Sequence, residues 1–283
     1  SARPETASNR RLAEAAAAAG VEMAIVNATE LTVGCDGEIR RGAGPLPGSP
    51  PEVVLARVGN WRPESLLAVL EGVVDGGAVT PNPASAVRVG RDHFRTAAAL
   101  ASAALPVPLT LAGADPEALA AAARERLEFP VVVKQRRSRM GVGVIKCSGA
   151  DHLEAVLDSL WRVGDEVVVQ EYVETGGSSL RLLVVGRDVV AAARFQAARG
   201  EWRSNAARGG DAVALTPDRR AVELALRSTG VLGLGICGVD LLPGPDGVVI
   251  GELNPTPGFA GLEAATGVDV AAAIVDHLAG MVG

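Results

Sequence analysis

The chain has 283 residues, 48% of them hydrophobic and 21% charged, which is the composition of an ordinary soluble globular protein and leaves room for more than one packed unit. A formal net charge of -6 speaks against a nucleic-acid surface, where a basic excess is needed to displace counterions. The three cysteines and three histidines fall into no CxxC or HExxH spacing, so neither a disulfide framework nor a zinc site is expected and the setting reads as cytoplasmic.

No apolar run approaches the ~18 residues of a membrane span, and no basic segment precedes an apolar core as in a secretory signal. The N-terminus predicts a helix over 9–19 that ends at Gly20, then a strand over 21–26. An α/β unit ordinarily begins with a strand, so a first strand is expected to be missing. Residues 34–51 are rich in Gly and Pro and read as a loop, residues 53–57 as a buried strand, and the segment after Pro63 as a helix. The Thr80-Pro81-Asn82-Pro83 turn precedes an Ala-rich helical stretch that Pro106 and Pro108 terminate.

Asp115-Pro116 opens the next helix, and residues 130–134 and 142–147 form two strands around a loop at 135–141. Residues 151–161 are an amphipathic helix and 166–173 a strand that runs into Gly176-Gly177. Strands at 180–185 and 189–193, a helix from Thr216-Pro217 to near Gly230, strands at 236–242 and 248–253, and a last helix over 268–278 complete the pattern.

Chemistry concentrates at four places. Asp240 lies on one of the last two strands, with Glu252 and Asn254 on the other. Residues two apart on a strand share a face, so paired strands would gather three oxygen donors suited to Mg²⁺. Lys134 ends an apolar strand before a loop carrying Arg136, Arg137, Arg139, Gly141 and Gly143, a place where backbone N–H groups could cover a phosphate chain. Gln170-Glu171-Tyr172-Val173 ends another strand and could meet an adenine edge. Glu201-Trp202-Arg203-Ser204-Asn205 and Arg208-Gly209-Gly210 form a polar loop whose arginines suit phosphate oxygens.

Over residues 53–283 the order of these segments resembles the RimK-type branch of the ATP-grasp superfamily, through FPVVVK, VVQEYV, RLLVVG, EWRSN with RGG, GVDLL and GELNPTPGF. That resemblance implies an α/β (α+β) ATP-grasp fold. An N-terminal domain at 1–88 would precede a central grasping subdomain at 89–170 and a C-terminal one at 171–283. It implies an ATP-dependent ligase that adds L-glutamate or another amino acid to a carboxylate of a small molecule, peptide or protein through an acyl-phosphate.

On the same resemblance Lys134 and the Gly141 and Gly143 loop hold phosphates, Glu171 and Tyr172 line the adenine pocket and Ser179 stands at the ribose position. Arg203 and Asn205 approach the γ-phosphate and the reacting carboxylate. Asp240, Glu252 and Asn254 ligate two Mg²⁺ ions, with Mn²⁺ as a substitute. A homo-oligomer is expected, and neither nucleic acid nor membrane is a partner. Three departures are visible: His93 in Arg91-Asp92-His93 stands where the family has lysine, Ser179 where it often has aspartate, and the Gly-rich loop is more basic than usual through Arg136, Arg137 and Arg139, which would either favour an anionic substrate or shield the phosphates. His93 and Ser179 motivate an alternative, an ATP-binding regulatory protein with little turnover.

Overall fold

The structure is a computed structural model that describes residues 1–45, 50–59, 62–137, 143–164, 166–198, 200–203 and 211–282. The chain opens with α1 (Ala7–Ala18), capped by Thr6, whose hydroxyl accepts the Asn9 N–H. Residues 34–51, expected as loop, contribute to a small antiparallel sheet of β1 (Leu31–Val33), β2 (Ile39–Arg41) and β3 (Gly44–Pro45). Its first hairpin turns at Asp36-Gly37, with Gly37 at φ 84°.

The expected strands at 21–26 and 53–57 do not form ladders. Only an isolated parallel bridge joins Val53 to Val79, because these apolar stretches are taken up by helix-side cores instead of a neighbouring strand. After α2 (Pro63–Asp75), the Ala-rich stretch breaks into α3 (Ala84–Gly90) and α4 (His93–Ser102). The break is local chemistry: Asp92 caps α4 by accepting the Arg95 N–H.

Residues 111–169 build one core of their own. Strands β4 (Thr110–Leu111), β5 (Val131–Gln135), β6 (Val144–Cys147) and β7 (Val167–Glu171) form a sheet in the order β4-β7-β5-β6. Val131, Val133, Cys147 and Val169 pack one face onto α5 (Pro116–Arg126) and α6 (Ala150–Arg162). By alternation Lys134, Val144, Lys146, Val168 and Gln170 share the opposite face.

The second large sheet is wholly antiparallel, in the order β10-β9-β8-β11-β12. It uses β8 (Ser178–Val185), β9 (Asp188–Gln196), β10 (Asp211–Ala214), β11 (Ile236–Gly244) and β12 (Gly247–Asn254). On one face Leu180, Leu182, Val184, Cys237, Val239 and Leu241 pack with α2, α3, α4 and α7 (Arg219–Leu232). On the other, Leu183, Val185, Ala193, Phe195 and Ile236 pack with α1, α8 (Ala260–Thr266) and α9 (Val270–Ala279). The last helix expected from sequence, over 268–278, forms as α9, which Asp269 caps, and Gly267 in the left-handed region ends the preceding α8.

Asn82 ties the start of β11 to the end of β12. Fully buried, it donates to the carbonyls of Ile236 (2.7 Å) and Pro255 (2.9 Å) and accepts the Ile236 N–H (2.9 Å). Asn82→Ala strands three buried backbone groups and is expected to cost about 2–4 kcal/mol in urea unfolding. A loss below ~0.5 kcal/mol would mean that water replaces the amide fully. Among the described residues no helix is long and apolar enough to cross a membrane.

Candidate active site

Register, not proximity in sequence, assembles the site. In the β8-β11-β12 ladder Arg181 is the partner of Asp240, and Asp240 is the partner of Glu252, so the three side chains form a row across the sheet. Asn254 follows two residues after Glu252, opposite Gly238, and a bulge between Asp240 and Leu241 re-aims the strand at this point. Like charges directly opposite on a sheet repel, so the two carboxylates need cations.

Arg181 supplies the first. Its Nε donates to Asp240 Oδ1 at 2.7 Å and its Nη2 to Oδ2 at 2.6 Å, while the guanidinium lies 5.4 Å from the Phe195 ring centroid. The Asp240 charge pushes the Arg181 pKa up. Lys134, from the other sheet, supplies the second. Burial lowers its pKa, and the negative charges of Glu252 and Asp240 pull the other way. Its ammonium donates to Gln170 Oε1 at 2.6 Å, and the Gln170 amide donates to Thr110 Oγ1 at 2.8 Å. Two carboxylates on one sheet are therefore balanced by two cations, one from each sheet.

Arg181→Met leaves a half-buried Asp240 without its bidentate partner and is expected to destabilise the fold by about 2–3 kcal/mol in thermal unfolding, with partial recovery in Arg181→Met/Asp240→Asn. Equal stability of all three chains would show that the pair is solvent-screened.

His93 lines the cleft beside Gln170 and Glu252. Burial first, and the Lys134 cation second, push its pKa down to about 3, against the pull of Asp92, so the ring is neutral. The basic loop is less free than its sequence suggests. Arg136 Nε donates to both oxygens of buried Asp92, at 3.0 and 2.8 Å, and Arg137 Nε lies 3.9 Å from the same carboxylate. Arg136 therefore serves the join between the loop and α4. Gly143 has φ 72°, which strains any other side chain, and a Cβ there would fall 2.7 Å from Gln135 Oε1 and push that amide aside.

The remaining expected residues are spread out: Glu171 lies toward the β4 side of the four-stranded sheet, Tyr172 and Arg203 at its β6 edge, and Ser179 on the other sheet. Glu171 Oε2 accepts the Leu109 N–H at 3.1 Å. The Tyr172 ring lies under Lys146 Nζ (3.6 Å) and meets Trp202 edge-on at 5.8 Å. Arg203 pairs with Glu201 and donates to the Val144 carbonyl. Ser179 is half-buried on β8, two residues before Arg181 on the same face. Gly141 and Asn205 lie outside the described residues. Lys146 and Thr110 were not singled out from the sequence. The alternation of β6 places Lys146 on the Lys134 face, but only the β4–β7 pairing shows that Thr110 meets Gln170.

A family model described as a RimK-like ATP-grasp domain matches residues 90–278. The chain belongs to the RimK-like ATP-grasp family. A relative from Stenotrophomonas maltophilia (strain R551-3), named a probable alpha-L-glutamate ligase, is 36% identical over 275 residues, 96% of this chain and 94% of its own. A crystal structure of a RimK domain ATP-grasp protein from Sphaerobacter thermophilus is 27% identical with a TM-score of 0.73, covering 96% of each chain. The ATP-grasp ligase PsnB, in complex with a minimal precursor, shares the fold at 23% identity and a TM-score of 0.76, covering 98% of this chain and 96% of its own. As a member of the RimK-like ATP-grasp family, the chain is an ATP-dependent ligase with the ATP-grasp fold.

Proposed function

We propose that this ligase joins the amine of an amino acid, glutamate foremost, to a carboxylate on a small molecule, peptide or protein, with ATP spent to ADP and phosphate. The observation that carries the reading is the row Arg181–Asp240–Glu252 on one sheet, electrostatically coupled to Lys134 on the other. It concentrates charge of both signs between the sheets, as phosphoryl transfer to a carboxylate requires. The glutamate preference draws on the curated relatives, which are named alpha-L-glutamate ligases.

The donor set fits Mg²⁺. Among the described residues no group of three or more His, Cys, Asp or Glu could hold a metal by itself. Two carboxylates and one amide oxygen leave positions that phosphate oxygens fill, which is how Mg²⁺ is ordinarily held beside a nucleotide. A structure of PsnB holds Mg and ADP beside a variant of its minimal precursor. Here Glu252 and Asn254 would hold the cation, with Asp240 shared with Arg181. When bound, it would neutralise phosphate charge. Two ions are proposed, with Mn²⁺ able to replace them.

In this reading the two sheets, within working divisions at 1–88, 89–170 and 171–283, grip the nucleotide. Lys134 holds phosphate oxygens, the loop with Gly141 and Gly143 covers them, and Glu171, Tyr172 and Ser179 face the nucleoside. Arg203 and Asn205 orient the terminal phosphate against the carboxylate. Phosphoryl transfer makes that carboxylate an acyl-phosphate, and the amine displaces phosphate from it. The protein is proposed to work in the cytoplasm as a homo-oligomer.

The test is phosphate release from ATP with Mg²⁺ across a panel of amino acids and acidic peptides, with products weighed by mass spectrometry. Glutamate-dependent release and an acceptor heavier by a glutamyl residue are expected. Tight ATP binding without release under every pairing would replace this reading with the regulatory one.

A further inference from the structure

Glu201 does more than neutralise its neighbour. Its Oε1 accepts the backbone N–H groups of Trp202 (2.9 Å) and Arg203 (3.1 Å), and both of its oxygens accept from the Arg203 guanidinium, Nε and Nη2 each at 3.0 Å. The two side chains are only 23% and 21% exposed, and the Arg203 bond holds the Glu201 carboxyl down to about 2. The third anchor is the other sheet, where Arg203 Nη1 donates to the Val144 carbonyl at 3.1 Å.

Val144 is the register partner of Lys134, and β6 is an edge strand of its sheet. The neighbouring bond from Gln135 N–H to the Gly143 carbonyl makes Lys134–Val144 a non-hydrogen-bonded pair, so the Val144 carbonyl points away from β5 to the open edge. Arg203 thus docks one strand from Lys134. A guanidinium carries five N–H donors; among the described residues these contacts use three, which leaves two to offer an oxyanion.

We infer that Glu201 is a positioning residue. With the Val144 carbonyl it fixes the plane of the Arg203 guanidinium beside Lys134, so that the two remaining donors meet the terminal phosphate without further ordering. This rests on the reading of Arg203 at that phosphate. A free arginine would lose rotamer freedom on engaging the phosphate, and the cradle removes that loss beforehand.

The experiment is a double-mutant cycle on the full chain with Glu201→Gln, Arg203→Ala and the double variant. It reads kcat, KM for ATP, and Kd for ADP and for a non-hydrolysable ATP analogue. Glu201→Gln is expected to lower kcat by about ten- to a hundred-fold, the usual size of a supporting-residue effect. It should also erase the preference for the analogue over ADP while leaving the ADP Kd unchanged. In the Arg203→Ala background it should have no further effect. Equal weakening of ADP and analogue, the same loss in both backgrounds, or unchanged or raised turnover would overturn the inference, as would full discrimination in Arg203→Ala. Should the Gln variant not fold, Glu201→Asp, which keeps the charge at a shorter reach, is expected to lie between wild type and Arg203→Ala. If no amino acid supports turnover, the ligase reading fails on its own, and the two Kd values still decide the role of Glu201.

Discussion

Glu252→Gln is expected to lower ATP turnover by about 10²–10³-fold, or roughly 3–4 kcal/mol of barrier, while the fold stays intact. The residue stands directly opposite Asp240, within the attraction of Lys134, and lines the cleft with His93 and Gln170. Removing its charge relieves the repulsion between the two carboxylates, so stability should hold or rise slightly. What disappears is an anionic donor for the cation that neutralises the phosphates. Loss of turnover with an unchanged melting temperature supports that role. Turnover within about threefold of wild type would make Glu252 an ordinary edge-strand carboxylate.

Lys134→Met is expected to weaken ATP binding by about ten- to a hundred-fold with stability within ~1 kcal/mol of wild type. Two opposing effects set the stability. Removing a cation whose pKa burial has lowered is favourable, while Gln170 Oε1 loses its donor and Asp240 and Glu252 lose a compensating charge. Binding has no such compensation, since no apolar side chain replaces an ammonium at a phosphate. The measurement is a calorimetric titration with ATP and Mg²⁺ beside a thermal melt. A large fall in melting temperature with unchanged affinity would assign Lys134 to the structure alone.

Asp240, Glu252 and Asn254 were legible because a strand has period 2 and the turn between the two strands sets their pairing; the register then aligned Asp240 with Glu252. Lys134 was legible as the polar end of a Val-rich strand. Its coupling to Glu252 was not, because that depends on how two sheets built from residues far apart in sequence come to face each other.

The same limit explains the misread segments. Apolar runs at 21–26 and 53–57 carry the composition of strands, but strand identity also needs a partner, and they pack beside helices instead. The Asp36-Gly37 hairpin signal was lost in a stretch rich in Gly and Pro. Arg136 was visible only as part of a basic loop, because its partner, Asp92, lies 44 residues earlier at the cap of α4.

Transfer of an oxygen atom tests the ligase account most directly. An acceptor with oxygen-18 in its carboxylate is incubated with ATP, Mg²⁺, glutamate and the full chain, and the released phosphate is weighed. Activation as an acyl-phosphate predicts that each phosphate carries an oxygen-18 atom taken from the carboxylate; unlabelled phosphate alongside a ligated product would contradict it.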